Sequence, residues 1–216
     1  MSETAAVPAP STPVRKRPKP GERRVQILQA LATMLEQPGA ERVTTAALAA
    51  KLDVSEAALY RHFASKAQMF EGLIEFIEST VFALVNQIAE REAANAAGAA
   101  EPGAGARQAA RLVTMLMQFA EKNPGMARVM VGDALVFENE RLHQRMNQFF
   151  DKVEAALRQG LRESAVQNGS TMPTVDSQVG AAVLTAFVVG RLQRYARSGF
   201  KRLPSENLEA CLAQML

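Results

Sequence analysis

The 216-residue sequence predicts an all-α protein, with a small N-terminal helix-turn-helix domain followed by a larger C-terminal helical dimerisation and regulatory domain. Three observations carry that prediction. Apolar residues recur at three- and four-residue spacing through most of the chain after Gly21. No stretch of any length alternates apolar and polar residues, as a half-buried strand would. Pro, Gly, Ser and Thr fall between the apolar segments, where helices start and stop. With 48% hydrophobic residues, the chain can bury a sizeable core.

The elements follow in order. Residues 1–21 carry Pro8, Pro10, Pro13, Pro18 and Pro20 and almost no large apolar side chains, so burial cannot offset their ordering entropy. They are expected to form a flexible basic arm, with Arg15, Lys16, Arg17 and Lys19 near its end and Arg23 and Arg24 opening the next helix. That helix is marked by Val25, Leu28, Leu31, Met34 and Leu35 and stops before Pro38-Gly39. Thr44-Thr45 caps a short Ala/Leu helix to about Leu52, Asp53-Val54 turns the chain, and Ser55 caps another helix to about Phe63. Ser65-Lys66-Ala67-Gln68 has capping-box form and opens a long helix along Phe70, Leu73, Ile74, Ile77, Val81, Leu84 and Ile88. Residues 93–105, rich in Ala and Gly with Pro102, are expected to be a loop. Helices at roughly 106–122, 125–131, 134–163, 176–198 and 205–215 complete about nine. The expected units are therefore the arm (1–21), the helix-turn-helix domain (22–67) and a dimerisation and partner-binding domain (68–216).

Charge is unevenly placed. Residues 1–66 hold ten Lys/Arg against six Asp/Glu, a surplus of four, whereas residues 67–216 hold fifteen against sixteen. Positive charge gathered at the front suits a segment that meets phosphates. The N-terminus has no apolar signal-peptide core, no run of eighteen apolar residues occurs, and Cys211 is the single cysteine, so a cytoplasmic protein is expected with no membrane partner. No enzyme constellation is present. His62, His143 and Cys211 have neither metal nor nucleophile spacing, Gly103-Ala104-Gly105 is too short for a phosphate loop, and Glu138 and Glu140 read as helix surface. Neither a metal, a cofactor nor a small-molecule substrate is expected.

Residues 44–63, TTAALAAKLDVSEAALYRHF, have the layout of two short helices joined by a tight turn. Ala47, Ala49 and Ala50 would let the helices cross closely, and Leu48, Leu52, Val54, Leu59 and Phe63 would fill the shared core. Ser55, Glu56, Ala57, Tyr60, Arg61 and His62 are left facing outward, a thin polar face that a major groove admits. Two further surfaces stand out. Phe76 lies about 100° round the long helix from Ile77, in a row with Met69, Gly72 and Ala83; it is either a widened core face or a peptide-docking row. Ala182, Ala186 and Gly190 recur every four residues, flanked by Val183, Leu184 and Phe187, so a second helix can approach along that stripe. Arg191, Arg194 and Arg197 form a polar edge beside it.

The run V-S-E-A-A-L-Y-R-H-F-x-S-K-x-x-M-F closely resembles the recognition helix and following helix start of TetR-family regulators. The resemblance implies a TetR-like fold in which Thr44, Tyr60 and Lys66 contact DNA phosphates. Thr45, Ser55, Ala57 and Arg61 join the DNA-binding set, and His62 stands between a backbone contact and none. Lys66 sits in the first turn of its helix, where a cation opposes the dipole unless an anion is shared there. The segments LIEFIE (73–78), EKNPG (121–125), ALVFENERLHQRMNQFF (134–150) and EAALRQGLRE (154–163) narrow the resemblance to the nucleoid occlusion factors of that family. This implies a homodimer on palindromic double-stranded DNA sites, associated with the nucleoid, that engages FtsZ when DNA-bound. It implies a partner surface of Phe76, Met115, Lys122 and Asn123, and a four-helix dimer interface to which Ala182, Ala186, Phe187 and Gly190 belong. The long Pro-rich arm and the segments 93–105 and 165–174 depart from the pattern. Two alternatives stay open at this point: a ligand-responsive TetR-type repressor, and a protein-interaction module whose helix-turn-helix serves packing.

Overall fold

The computed structural model describes residues 21–37, 43–96 and 103–216. The Pro-rich segment expected to form the basic arm lies outside the described residues, as does the middle of the Ala/Gly-rich stretch. Among the described residues there are nine α-helices and no strand: α1 (Glu22–Leu35), α2 (Thr45–Lys51), α3 (Glu56–Tyr60), α4 (Lys66–Ala96), α5 (Ala104–Lys122), α6 (Pro124–Met130), α7 (Glu140–Gln167), α8 (Pro173–Arg197) and α9 (Leu208–Met215).

The caps that set these boundaries are side chains read from the sequence. The Thr44 hydroxyl accepts from the Ala47 amide at 3.1 Å, and Ser55 accepts from Ala58 at 3.3 Å. Ser65 accepts from Gln68 at 3.2 Å, while the Gln68 carboxamide oxygen accepts from the Ala64 amide at 2.8 Å. That is a capping box whose return bond lands one residue earlier than the usual pattern. Each such cap contributes about 1 kcal/mol to its helix.

Several expected boundaries move. The single helix expected over 134–163 is interrupted. Residues 133–135 form one 3-10 turn after Gly132 at φ 82°, and α7 starts only at Glu140, where the Asn139 side chain accepts from the Arg141 amide at 2.9 Å. Helix α7 then runs on to Gln167, α3 stops at Tyr60 rather than near Phe63, and α4 continues to Ala96. At the start of α7 the Asn139 cap overrides what spacing alone suggests. No run of eighteen apolar residues occurs, yet α4 and α8 are on average apolar enough to cross a membrane. The fold spends that apolarity differently: Phe70, Leu73, Ile74, Ile77 and Val81 of α4 are fully buried in the core, and α8 buries Ala181, Leu184, Val188 and Leu192.

The core domain is a bundle in which α7 packs extensively on α8 and α5 packs on both α4 and α7. At the α5–α7 crossing a Cβ on Gly105 would collide with the carbonyl oxygen of Gly160, so glycine there permits backbone contact between the helices. The helix-turn-helix unit joins this bundle through α1, which packs on α4 and α6. Helix α1 lies on α6, where Gly125 meets the Ala32 carbonyl without room for a side chain, and Arg128 donates to the Gln37 carbonyl at 3.1 Å. Along α4, ion pairs tie it to α7: Glu71 with Arg141, and Glu78 with Arg145 at 2.9 Å and with Lys152 at 3.2 Å.

Candidate nucleic-acid interface and partner surfaces

In the helix-turn-helix unit the division between core and face follows the sequence closely. Leu48, Leu59 and Phe63 are buried, with Leu52 and Val54 partly so. Of the three alanines expected at the crossing, only Ala49 is buried; Ala47 and Ala50 are exposed. Ser55, Glu56, Ala57, Tyr60, Arg61 and His62 are all exposed on or just after α3, and Thr44 is exposed at the start of α2. The outward-facing set is therefore brought together on one unit. Three hydroxyls of the expected contact residues are already engaged, that of Ser55 as the acceptor that caps α3. The Thr44 oxygen caps α2 as an acceptor, which leaves its proton free for a phosphate. Thr45 donates to the Glu56 carboxylate at 2.6 Å, so its proton is held within the protein and its expected DNA contact must displace that bond.

Arg24 has a role that the sequence did not reveal. Its guanidinium donates to the His62 carbonyl at 3.1 Å and lies 4.2 Å from the centroid of the Phe63 ring. It thus braces α1 against the turn between α3 and α4. His62 itself is exposed, and its backbone carbonyl serves this brace.

Lys66 is the residue whose surroundings differ most from expectation. The anion that its position at a helix N-terminus calls for is present inside the chain: the Glu138 carboxylate, 2.5 Å from the Lys66 ammonium. Glu138 was expected on a helix surface. It lies instead between the 3-10 turn and α7, with its side chain only 9% exposed.

On α4 the expected second apolar row divides. Met69 and Gly72 belong to the core, Gly72 packing against Leu28 and Phe63, whereas Phe76 is 46% exposed and Ala83 is exposed. Further along, a groove of about 390 Å³ between α4 and α5 is lined by Leu84, Gln87, Ile88, Met115 and Gln118, and Met115 is half-buried there. Lys122 is exposed at the end of α5. The Asn123 carboxamide, expected to contact a partner, donates to the Phe119 carbonyl at 2.8 Å.

Helix α8 carries an exposed apolar stripe. Val175, Val179, Ala182, Val183 and Ala186 are exposed, with Phe187 and Gly190 half-buried beyond them. A Cβ on Gly190 would meet nothing within 4 Å, so no contact inside the subunit requires this glycine. Leu184, expected on the flank, is core. Arg191 donates to the Glu206 carbonyl at 2.9 Å and stacks 4.9 Å from the Phe187 ring centroid. Spacing pointed to the small-residue stripe, but Val175 and Val179 were missed because nothing in a single sequence separates a core valine from an exposed one.

An N-terminal helix-turn-helix on a helical bundle with an open α8 face defines a TetR-type DNA-binding regulator. Residues 27–73 match the family model described as bacterial regulatory proteins, tetR family, and residues 107–216 match the SlmA-like model described as tetracyclin repressor-like, C-terminal domain. Over 193 residues the chain is 50% identical to the nucleoid occlusion factor SlmA of Vibrio vulnificus, covering 88% of this chain and 92% of that one. It is 49% identical over 191 residues to SlmA of Aliivibrio fischeri, with the same coverages. Among solved structures it is similar in fold to a fatty-acid regulator FadR from Bacillus halodurans (TM-score 0.69, 16% identity, 92% of this chain and 96% of that one). It is also similar to a TetR-family regulator from Bordetella parapertussis (TM-score 0.67, 15% identity, 91% and 95%). The chain belongs to the SlmA family of nucleoid occlusion factors within the TetR regulators: dimeric DNA-binding proteins, not enzymes.

Proposed function

We propose that two copies of this chain, paired through α8, bind palindromic chromosomal sites through residues 22–67 and, once bound, engage FtsZ through residues 68–216, restraining division-ring assembly over the nucleoid. The protein works in the cytoplasm, on the nucleoid. Thr44, Tyr60 and Lys66 contact phosphates; Thr45, Ser55, Ala57, Arg61 and His62 lie at the groove. The basic residues of 1–21 add sequence-independent attraction to DNA.

The observation that carries the FtsZ reading is Phe76. A large aromatic side chain that remains 46% exposed on α4, while the neighbouring apolar positions of that helix are buried, is an anchor without a pocket of its own. The α4–α5 groove continues along the same helix, two turns beyond Phe76, and Met115 forms part of its wall. An apolar anchor with a few polar contacts is how grooves hold short peptides, and Lys122 and Asn123 would supply those contacts. For the dimer, the support is the exposed stripe Val175, Val179, Ala182, Val183 and Ala186, which continues to Phe187 and Gly190. Small residues every four positions allow two helices to approach closely, and the valines beside them supply apolar area.

The test is Phe76→Ala. Affinity for an FtsZ C-terminal peptide should fall by about thirtyfold, corresponding to roughly 2 kcal/mol for a lost aromatic anchor. Operator affinity and thermal midpoint should be unchanged. Unchanged peptide affinity would remove Phe76 from the surface, and a collapsed midpoint would return it to the core.

A further inference from the structure

We propose that Glu138 is an internal competitor for the phosphate contact of Lys66, so that binding DNA and seating the 133–139 segment against α4 are opposed and thermodynamically linked. The inference rests on the reading of Lys66 as a phosphate contact and adds to it a regulator in the other domain.

The ion pairs between α4 and the α7 region show an inversion. Glu71 and Glu78 of α4 face Arg141, Arg145 and Lys152 of α7, acid on α4 and base on α7. At the head of α4 the polarity reverses: the cation, Lys66, is on α4, and the acid, Glu138, precedes α7. The reversed pair falls on the one α4 residue that the family resemblance assigns to DNA. A carboxylate and a phosphodiester present the same kind of anionic oxygen to an ammonium. With the Glu138 side chain 9% exposed and that of Lys66 30% exposed, the pair is only partly screened by solvent. Whatever Glu138 contributes to holding Lys66 must be given up, or shared, when a phosphate arrives. By reciprocity, DNA loosens Glu138 by as much as Glu138 weakens DNA.

The segment carrying Glu138 is held in the core at one end. Ala134 and Leu135 are buried, and the Leu135 carbonyl is held by the His143 Nε2 at 2.9 Å and accepts from the Glu138 amide at 2.9 Å. Val136 and Phe137 beyond them are 62% and 59% exposed, so the end that bears Glu138 lies nearer the surface than Ala134 and Leu135. Lys66 and Phe76 are ten residues apart on α4, about 15 Å along the axis. The competition therefore sits on the helix that also carries the proposed partner surface, and it gives DNA occupancy a route into the C-terminal domain.

Four proteins decide the matter: wild type, Glu138→Gln, Lys66→Gln and the double variant. Each is titrated against one duplex recovered from genome-wide binding, at several salt concentrations. Glu138→Gln keeps the shape and a hydrogen-bonding group while removing the negative charge. It should tighten DNA binding by about three- to tenfold in the wild-type background and by nothing in the Lys66→Gln background. Equal tightening in both backgrounds would mean a general charge effect, and no tightening would mean no competition; either overturns the proposal. If Lys66→Gln alone leaves affinity untouched, the phosphate reading of Lys66 falls, and the proposal with it. If Lys66→Gln weakens binding while the cycle is additive, only the competition is wrong. Should Glu138→Gln fail to fold, Glu138→Asp draws the carboxylate back by one methylene and should give the same sign of effect, smaller. Hydrogen exchange of the Glu138 amide supplies a second readout: it should quicken on adding DNA, and unchanged or slowed exchange counts against the proposal.

Discussion

Tyr60 holds its ring on the outer face of α3, and its hydroxyl has no hydrogen-bond partner among the described residues. An unpartnered phenol beside a groove is positioned to donate to a phosphate. Tyr60→Phe should therefore weaken binding to every duplex by about 1–3 kcal/mol, the range for a hydrogen bond to a charged group. Because the phenol is neutral, the salt slope should barely change, whereas losing a cation that displaces counterions should flatten it by up to about 0.9. The two kinds of contact can thus be told apart by filter binding at varied salt. An unaltered affinity for Tyr60→Phe would place this residue outside the interface. Arg24, which holds the His62 carbonyl and the Phe63 ring, acts behind this face by fixing the turn that presents it.

Between elements, the α5–α7 crossing and the α4–α7 ion pairs make separate demands. Gly105→Ala would push a methyl against the Gly160 backbone carbonyl, and backbone cannot yield as a side chain tip can. Overpacking of this kind costs about 1–3 kcal/mol, so the thermal midpoint should fall by several degrees while DNA contacts stay intact in the folded fraction. Glu78 contributes to acid sensitivity. Burial pushes its carboxyl up, but the hydrogen bonds and charges of Arg145 and Lys152 outweigh burial and hold it below its ordinary 4.5. A carboxyl depressed in the folded state contributes stability above its unfolded value and loses it as pH falls through the lower folded value. Denaturant titrations should show Glu78→Gln less stable than wild type at neutral pH, with the difference shrinking below about pH 4.5 as wild type is protonated. A constant difference across that range would show that Glu78 matters through packing rather than charge.

At the scale of the whole molecule, the α8 stripe decides whether two recognition units act together. A two-fold dimer sets its recognition helices about 34–36 Å apart, one turn of DNA, so half-sites are read as a palindrome. Ala186→Glu would place a carboxylate in the middle of the apolar stripe without disturbing the subunit interior, because Ala186 is exposed there. Sedimentation should show monomers at micromolar concentration with an unchanged helical signal, and affinity for a palindrome should fall towards that for a single half-site. A dimer that survives Ala186→Glu would move the interface away from this face.

The sequence by itself determined the all-α class, the helix-turn-helix and the caps that frame it. These depend on local physics: Thr44, Ser55 and Ser65 bond amides three residues ahead, and a 3.6-residue period marks the buried stripe of α4. It also separated the outward residues of α3 from the inward ones, since a five-residue helix has only one way to bury Leu59 against Leu48 and Phe63. What it left undecided involves partners far apart in the chain. Met69 and Phe76 look alike as members of one apolar row, yet the first is core and the second is open, because α1 and the helix-turn-helix cover only the lower part of that row. The expected 134–163 helix breaks at residues 136–139, where Glu138 reaches back 72 residues to Lys66. Only the tertiary structure could decide that, since an ion pair between distant segments leaves no period, cap or turn signal in either of them.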